Sequence, residues 1–104
     1  MPVILQVNYI PSEQQQALPV DARLESAHRI AELPGFRWKV WIRSADPVRR
    51  GGIYLFDDLP SALGWGREVE QRLSAGGGRD IEIRYFDVDP EPSRITQAPL
   101  GENP

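Results

Sequence analysis

The sequence predicts an α+β domain in the order β-α-β-β-α-β, and three observations predict it. Four short runs rich in β-branched and aromatic residues, Val3 to Ile10, Phe36 to Arg43, Gly52 to Phe56 and Ile81 to Val88, read as strands. Two segments of helical periodicity, residues 19–33 and a second run beginning near Leu59, separate the outer strands from the central pair. The central pair is joined by a polar, turn-rich stretch alone, which makes it a hairpin. That order is the split βαβ, ferredoxin-like arrangement: a four-stranded antiparallel sheet with two helices on one face. Residues 1–89 hold these elements, and residues 90–104 form a tail punctuated by Pro90, Pro92 and Pro99.

Val3, Leu5, Val7 and Tyr9 share one face of the first strand; Ile4, Gln6, Asn8 and Ile10 share the other. Gln6 and Asn8 face either solvent or a ligand. Pro11 closes the strand, Ser12 is placed to cap a first turn, and Pro19 suits the start of the secure helix. Val20, Leu24, Ala27 and Ala31 recur at helical spacing as its buried stripe, and Pro34-Gly35 stops it. His28, the only histidine, borders this stripe. It reads as a boundary residue or as a general base, since its intrinsic pKa lies near neutrality.

From Phe36 to Arg43 apolar and basic residues alternate, except that Trp41 falls among the charges. Strict alternation puts Phe36, Trp38 and Val40 on one face. Ser44 to Pro47 and Arg49 to Gly52 are expected to form the loop, and Gly52 to Phe56 is apolar throughout. Asp57 or Asp58 caps the second helix, with Pro60 in its first turn. Leu59, Ala62 or Leu63, Gly66, Val69 and Leu73 mark its buried side. Gly64 and Gly66 flank Trp65, either for close approach to the sheet or to leave room for a ligand. Ile81, Ile83 and Tyr85 share a face of the last strand, and Phe86 and Val88 bring apolar character to the other. In the tail, Ile95 and Leu100 are expected to dock on a surface.

Composition narrows the function. The net charge is −3, with eleven arginines and a single lysine, Lys39, so there is no basic field for nucleic acid and no polybasic membrane patch. The absence of cysteine excludes disulfides, thiol catalysis and Cys-ligated metals. The start of the chain lacks a basic n-region followed by an apolar h-region, and no apolar run nears the ~20 residues of a membrane span, so a soluble cytoplasmic protein is expected. Two helices cover one sheet face only, yet the strands are apolar on both. A second copy is expected on the other face, making a homodimer.

At PGFRWKVW, GGIYLFDD-x-x-SAL and FDVDPEPSRITQAPL the sequence resembles the YdhR-like monooxygenases of the dimeric α+β barrel superfamily, related to monooxygenases of antibiotic biosynthesis. The resemblance spans essentially the whole chain. It implies a homodimer of ferredoxin-like subunits, each with a ligand cavity between sheet and helices, and a small aromatic ligand. The positions that match cavity-facing ones in that superfamily are Asn8 and Phe56, with Tyr54 on the face of Phe56. The implied chemistry uses no flavin, haem or metal: an electron-rich, hydroxylated ring is deprotonated and itself reduces dioxygen. In that scheme Asn8 bonds the oxyanion, Tyr54 or His28 handles the proton, and Trp38, Phe56, Trp65 and Tyr85 hold the ring. Haem degradation, also found in the superfamily, needs a histidine on the second helix, which has none. Isomerase or lyase chemistry in the same pocket, or binding without catalysis, are the alternatives.

Overall fold

A computed structural model describes residues 1–101. The elements are β1 (Val3–Ile10), α1 (Glu13–Gln16), α2 (Val20–Ile30), β2 (Phe36–Ala45), β3 (Val48–Phe56), α3 (Leu59–Ala75), β4 (Arg79–Asp87) and α4 (Pro90–Ile95). All neighbouring strands run antiparallel, in the spatial order β2-β3-β1-β4, which is the ferredoxin-like sheet. The expected β-α-β-β-α-β core is present, with α1 and α4 added as short flanking helices.

Ser12 and Gln15 form a capping box at α1, the hydroxyl accepting from Gln15 N at 3.1 Å and the amide oxygen from Ser12 N at 2.9 Å. The same two side chains reach the end of α3: Ser12 Oγ donates to Gly76 O and Gln15 Nε2 to Leu73 O. Asp58 caps α3 by accepting from Ser61 N at 2.9 Å, with Pro60 in the first turn. Its buried side is Ala62, Gly66 and Val69, while Leu59 is exposed. A Cβ on Gly66 would lie 2.1 Å from Tyr85 Oη, so this glycine serves close approach of the helix to β4; Gly64 faces open space.

Three readings of the sequence are corrected. First, the β2–β3 hairpin extends through Ser44↔Arg49 and Ala45↔Val48, so Arg49 to Gly52 belong to β3 rather than to a loop. Backbone pairing outweighs the weak strand propensity of Arg-Arg-Gly-Gly. Second, the inward side of α2 is Ala22, Ser26 and Ile30; Val20, Leu24 and Ala31 are exposed. The small inward residues keep α2 from closing on the sheet. Third, β2 carries a bulge. Phe36 pairs with Phe56 but Trp38 pairs with Leu55, so two steps on β2 face one on β3 and Arg37 is the extra residue. Arg37 turns outward to Asp57 and the Leu100 carbonyl. Every side chain beyond it changes face: Lys39 and Trp41 join Phe36 on the helix side, and Trp38, Val40 and Ile42 lie on the other.

The main core, between sheet and helices, is built on Val3, Leu5, Val7, Ile30, Tyr54, Phe56, Ala62 and Val69. Burying each of its large side chains contributes about 1.5–3 kcal/mol. On the opposite face Leu55, Val88 and Leu100 form a second cluster, packed against Ile4, Trp38 and Ala98. The tail therefore covers part of that face, held by the Trp38 indole N–H donating to Pro99 O at 2.7 Å. Ile95, in contrast to Leu100, projects into solvent. Beyond the tail the open face still presents Val40 and Phe86, both about half exposed.

Candidate functional site

The pairing registers set the helix-side face of β2, β3 and β1 in four cross-strand rows: Phe36, Phe56, Val3; Lys39, Tyr54, Leu5; Trp41, Gly52, Val7; and Arg43, Arg50, Tyr9. The rows pass from wholly apolar to strongly cationic. Phe56 stacks on Tyr54 with centroids 5.9 Å apart and meets Phe36 edge-on at 6.0 Å, sealing the apolar end. The second to fourth rows floor a cavity of about 810 Å³, roofed by α2 and walled by α3 through Trp65, Val69 and Leu73. That volume is of the size that holds a small organic ligand.

Lys39 is the polar centre of this cavity. Its Nζ lies 3.2 Å from the ring centroid of Trp41 and 4.6 Å from that of Tyr54. The side chain fits because Gly52 leaves a gap beneath it; a Cβ there would approach Lys39 Cε to 2.4 Å. Burial pushes the ammonium pKa down to about 7. The aromatic faces pull the other way, favouring the cation, so the two effects oppose. Burial also lifts the Tyr54 phenol to about 12, with the Trp65 indole holding it back, and the hydroxyl stays protonated at neutral pH. The Trp65 Nε1 is buried without an acceptor in hydrogen-bond geometry, which leaves a donor in the cavity wall. Tyr9 is likewise raised by burial, against the lowering influence of Arg50 beside it.

Of the residues singled out from the sequence, Tyr54 and Trp65 line the cavity. Phe56 is fully buried behind Tyr54, and Tyr85 packs against Gly66 as part of the core. Asn8 stands on the opposite sheet face, in register with Gly51, where its side-chain oxygen accepts from Gln6 Nε2 at 3.0 Å. Trp38 is on that face too, moved there by the bulge, and His28 is exposed on α2 outside the lining. The structure thus keeps Asn8, Trp38 and His28 apart from Tyr54 and Trp65. Sequence reasoning missed Lys39, Trp41, Arg50 and Tyr9. The one available signal was the break in alternation at Trp41, which marks the face that the bulge turns inward. Among the described residues no group of three or more His, Cys, Asp or Glu side chains is placed to hold a metal.

Fold and site together define a ferredoxin-like α+β domain with a ligand-sized cavity between sheet and helices. A family model described as "Putative mono-oxygenase ydhR" matches residues 4–99, and the chain belongs to that family. A comparison with curated proteins finds no match. No helix among the described residues is long and apolar enough to cross a membrane.

Proposed function

We propose that the chain is a cofactor-free monooxygenase acting on an electron-rich, hydroxylated aromatic ring such as a phenol or an anthrone. The observation that carries this reading is the single lysine held inside the cavity beside two aromatic rings, where burial pushes its pKa down to about 7. An amine titrating there is a base matched to neutral pH. In the proposed mechanism, neutral Lys39 takes a proton from the substrate and its electron pair stays on the ring as a phenolate or enolate. The resulting ammonium and the protonated Tyr54 hydroxyl stabilise that anion, with the unsatisfied Trp65 N–H as a further donor. The anion reduces dioxygen and forms a carbon–oxygen bond, giving a substrate peroxide. For a ring methylene, breaking the O–O bond with loss of the second hydrogen leaves a carbonyl, and the other oxygen departs as water. Both electron pairs come from the substrate, so the oxygen balance closes without an added reductant. Trp65 and half-exposed Trp41 orient the ring.

Pairing of two chains through the open sheet face completes this reading. It is supported by exposed Val40 and Phe86 on the two edge strands of that face, with half-buried Ile42 and Ile53 beside Val40. The test of activity is oxygen consumption by metal-stripped protein over a panel of dihydroxyaromatics and anthrones. Enzyme-dependent uptake with an oxygenated product, lost in Lys39→Met and Tyr54→Phe, is expected. Uptake unchanged in Lys39→Met would remove the lysine from the mechanism. Saturable binding with no uptake on any panel member would leave a binding protein or an isomerase instead.

A further inference from the structure

We propose that the substrate carries a carboxylate as well as its reactive hydroxyl, and that Arg50, with Arg43 beside it, receives that carboxylate at the end of the cavity opposite Phe56. This deepens the oxygenase reading by naming the substrate class, and rests on that reading only for the fate of the hydroxyl.

Three observations support it. The chain is acidic, at net −3, yet the cavity is lined by Arg23, Arg29, Lys39, Arg43, Arg50 and Arg72 against one carboxylate, Glu68. That carboxylate is already engaged, 2.9 Å from Arg72, and Arg29 lies 3.9 Å from Glu25 outside the lining. Arg43, Arg50 and Lys39 form no ion pair with an acidic side chain among the described residues. A concentration of one charge sign around a cavity raises the local concentration of the opposite ion.

The second observation is that Arg50 is part-buried and already positioned. Its Nη1 donates to Gln15 O at 3.1 Å, and Gln15 is itself fixed to α3. The guanidinium is thereby fastened at Gln15 O and lies beside the Tyr9 hydroxyl, and a planar fork of five donors leaves others to meet a carboxylate. Arg43 is its cross-strand neighbour on the same face.

The third is order along the strands. Arg50 and Arg43 lie two rows beyond Tyr54 and Lys39, with Trp41 and side-chain-free Gly52 between them. Residues two apart on a strand stand ~7 Å apart, so four residues of β3 separate the ends by ~13 Å. A fused bicyclic ring with polar groups at opposite ends spans that interval: hydroxyl toward Lys39 and Tyr54, ring over Gly52 against Trp41, carboxylate toward Arg50.

The test compares two air-stable ligands by quenching of tryptophan fluorescence and by calorimetry. 6-Hydroxy-2-naphthoate carries hydroxyl and carboxylate at opposite ends of a bicyclic ring; 2-naphthol lacks the carboxylate. The naphthoate is expected to bind at least ~10-fold more tightly in low salt, as a charge-assisted bond in a part-buried site provides. Arg50→Gln should erase most of that preference, Arg50→Lys should retain part, and raising the ionic strength should reduce it. Circular dichroism melts check that each variant folds. Equal binding of the two ligands, binding of neither, or a preference unchanged in folded Arg50→Gln would overturn the proposal. Because binding is read without oxygen turnover, the two readings fail separately. Naphthoate preference without oxygen uptake on any ring keeps the ligand class and removes the oxygenase, and uptake on neutral rings with no preference does the reverse.

Discussion

Lys39→Met removes an amine that the fold holds against its own hydration, and the effect on stability should depend on pH in one direction. The folded pKa is about 7, against 10.5 for a solvated lysine. Between those values the unfolded chain binds more protons than the folded one, so stability rises with pH across that window. A displacement of this size corresponds to a cost of about 5 kcal/mol at and below neutrality. The ring faces of Trp41 and Tyr54 return about 1–2 kcal/mol of it by attracting the cation, leaving roughly 3–4 kcal/mol and narrowing the pH window from its lower side. Methionine keeps the length of the side chain and needs no hydration. At pH 6, Lys39→Met is therefore expected to be more stable than the native chain by roughly 3–4 kcal/mol, and the gap should stay level to neutrality and then narrow towards pH 9.5. Urea titrations of both proteins at half-unit intervals from pH 6 to 9.5 measure it. The window stops there because Tyr54, raised to about 12, holds its proton longer when folded and lowers stability as pH climbs past 10. A gap that stays constant with pH, or a variant less stable than the native chain at pH 6, would refute a desolvated lysine in the cavity.

Gly66→Ala places a methyl 2.1 Å from Tyr85 Oη and should cost about 1–3 kcal/mol in thermal melts. Part of that loss should return in a Tyr85→Phe background, since the nearest clashing atom is the hydroxyl; equal losses in both backgrounds would contradict the packing described. Trp38→Phe removes the 2.7 Å bond to Pro99 O and should cost about 1 kcal/mol, with faster proteolysis of the tail as its signature. Light scattering should return twice the chain mass for the native protein and a single chain for the Val40→Asp, Phe86→Asp double variant. A native protein of one chain mass at all concentrations would dispose of the face-to-face dimer.

The parts of the fold written in local chemistry were legible. Strand β1 follows from its β-branched run, α3 from Asp58, Pro60 and the Ala62, Gly66, Val69 spacing, and α1 from Ser12. Each depends on neighbours within about one turn or one strand. The site was legible only at Tyr54 and Trp65, because the remainder depends on a tertiary event. A bulge is an irregularity of pairing between two strands, and nothing in the sequence from Phe36 to Trp41 taken alone dictates where the extra residue falls. Once Arg37 is that residue, Trp38 leaves the cavity side and Lys39 and Trp41 arrive. Asn8 illustrates a different limit: strand periodicity put it opposite Val7 and Tyr9, but which face the helices cover is settled by packing. For α2 the failure was one of composition. Val20 and Leu24 look like a core stripe, yet the side that faces the sheet is Ala22 and Ser26, too small to fill the space.

The extra residue at Arg37 also says something about how such a domain diversifies. Strand β2 offers two complete linings, Trp38-Val40-Ile42 and Lys39-Trp41-Arg43, and the register of β2 on β3 decides which one the cavity receives. Loss of Arg37 itself would leave both linings in place, since Trp38 would still pair with Leu55 and Lys39 with Tyr54; a one-residue slide of β2 along β3 is what would exchange them, replacing a charged chamber with an oily one. Such a slide would send a lysine and an arginine to the outer face of the sheet, where like charges would oppose self-association. The lining of the cavity and the character of the outer face are therefore tied to one another through the register of a single strand. A relative whose β2 is slid by one residue should differ in both together.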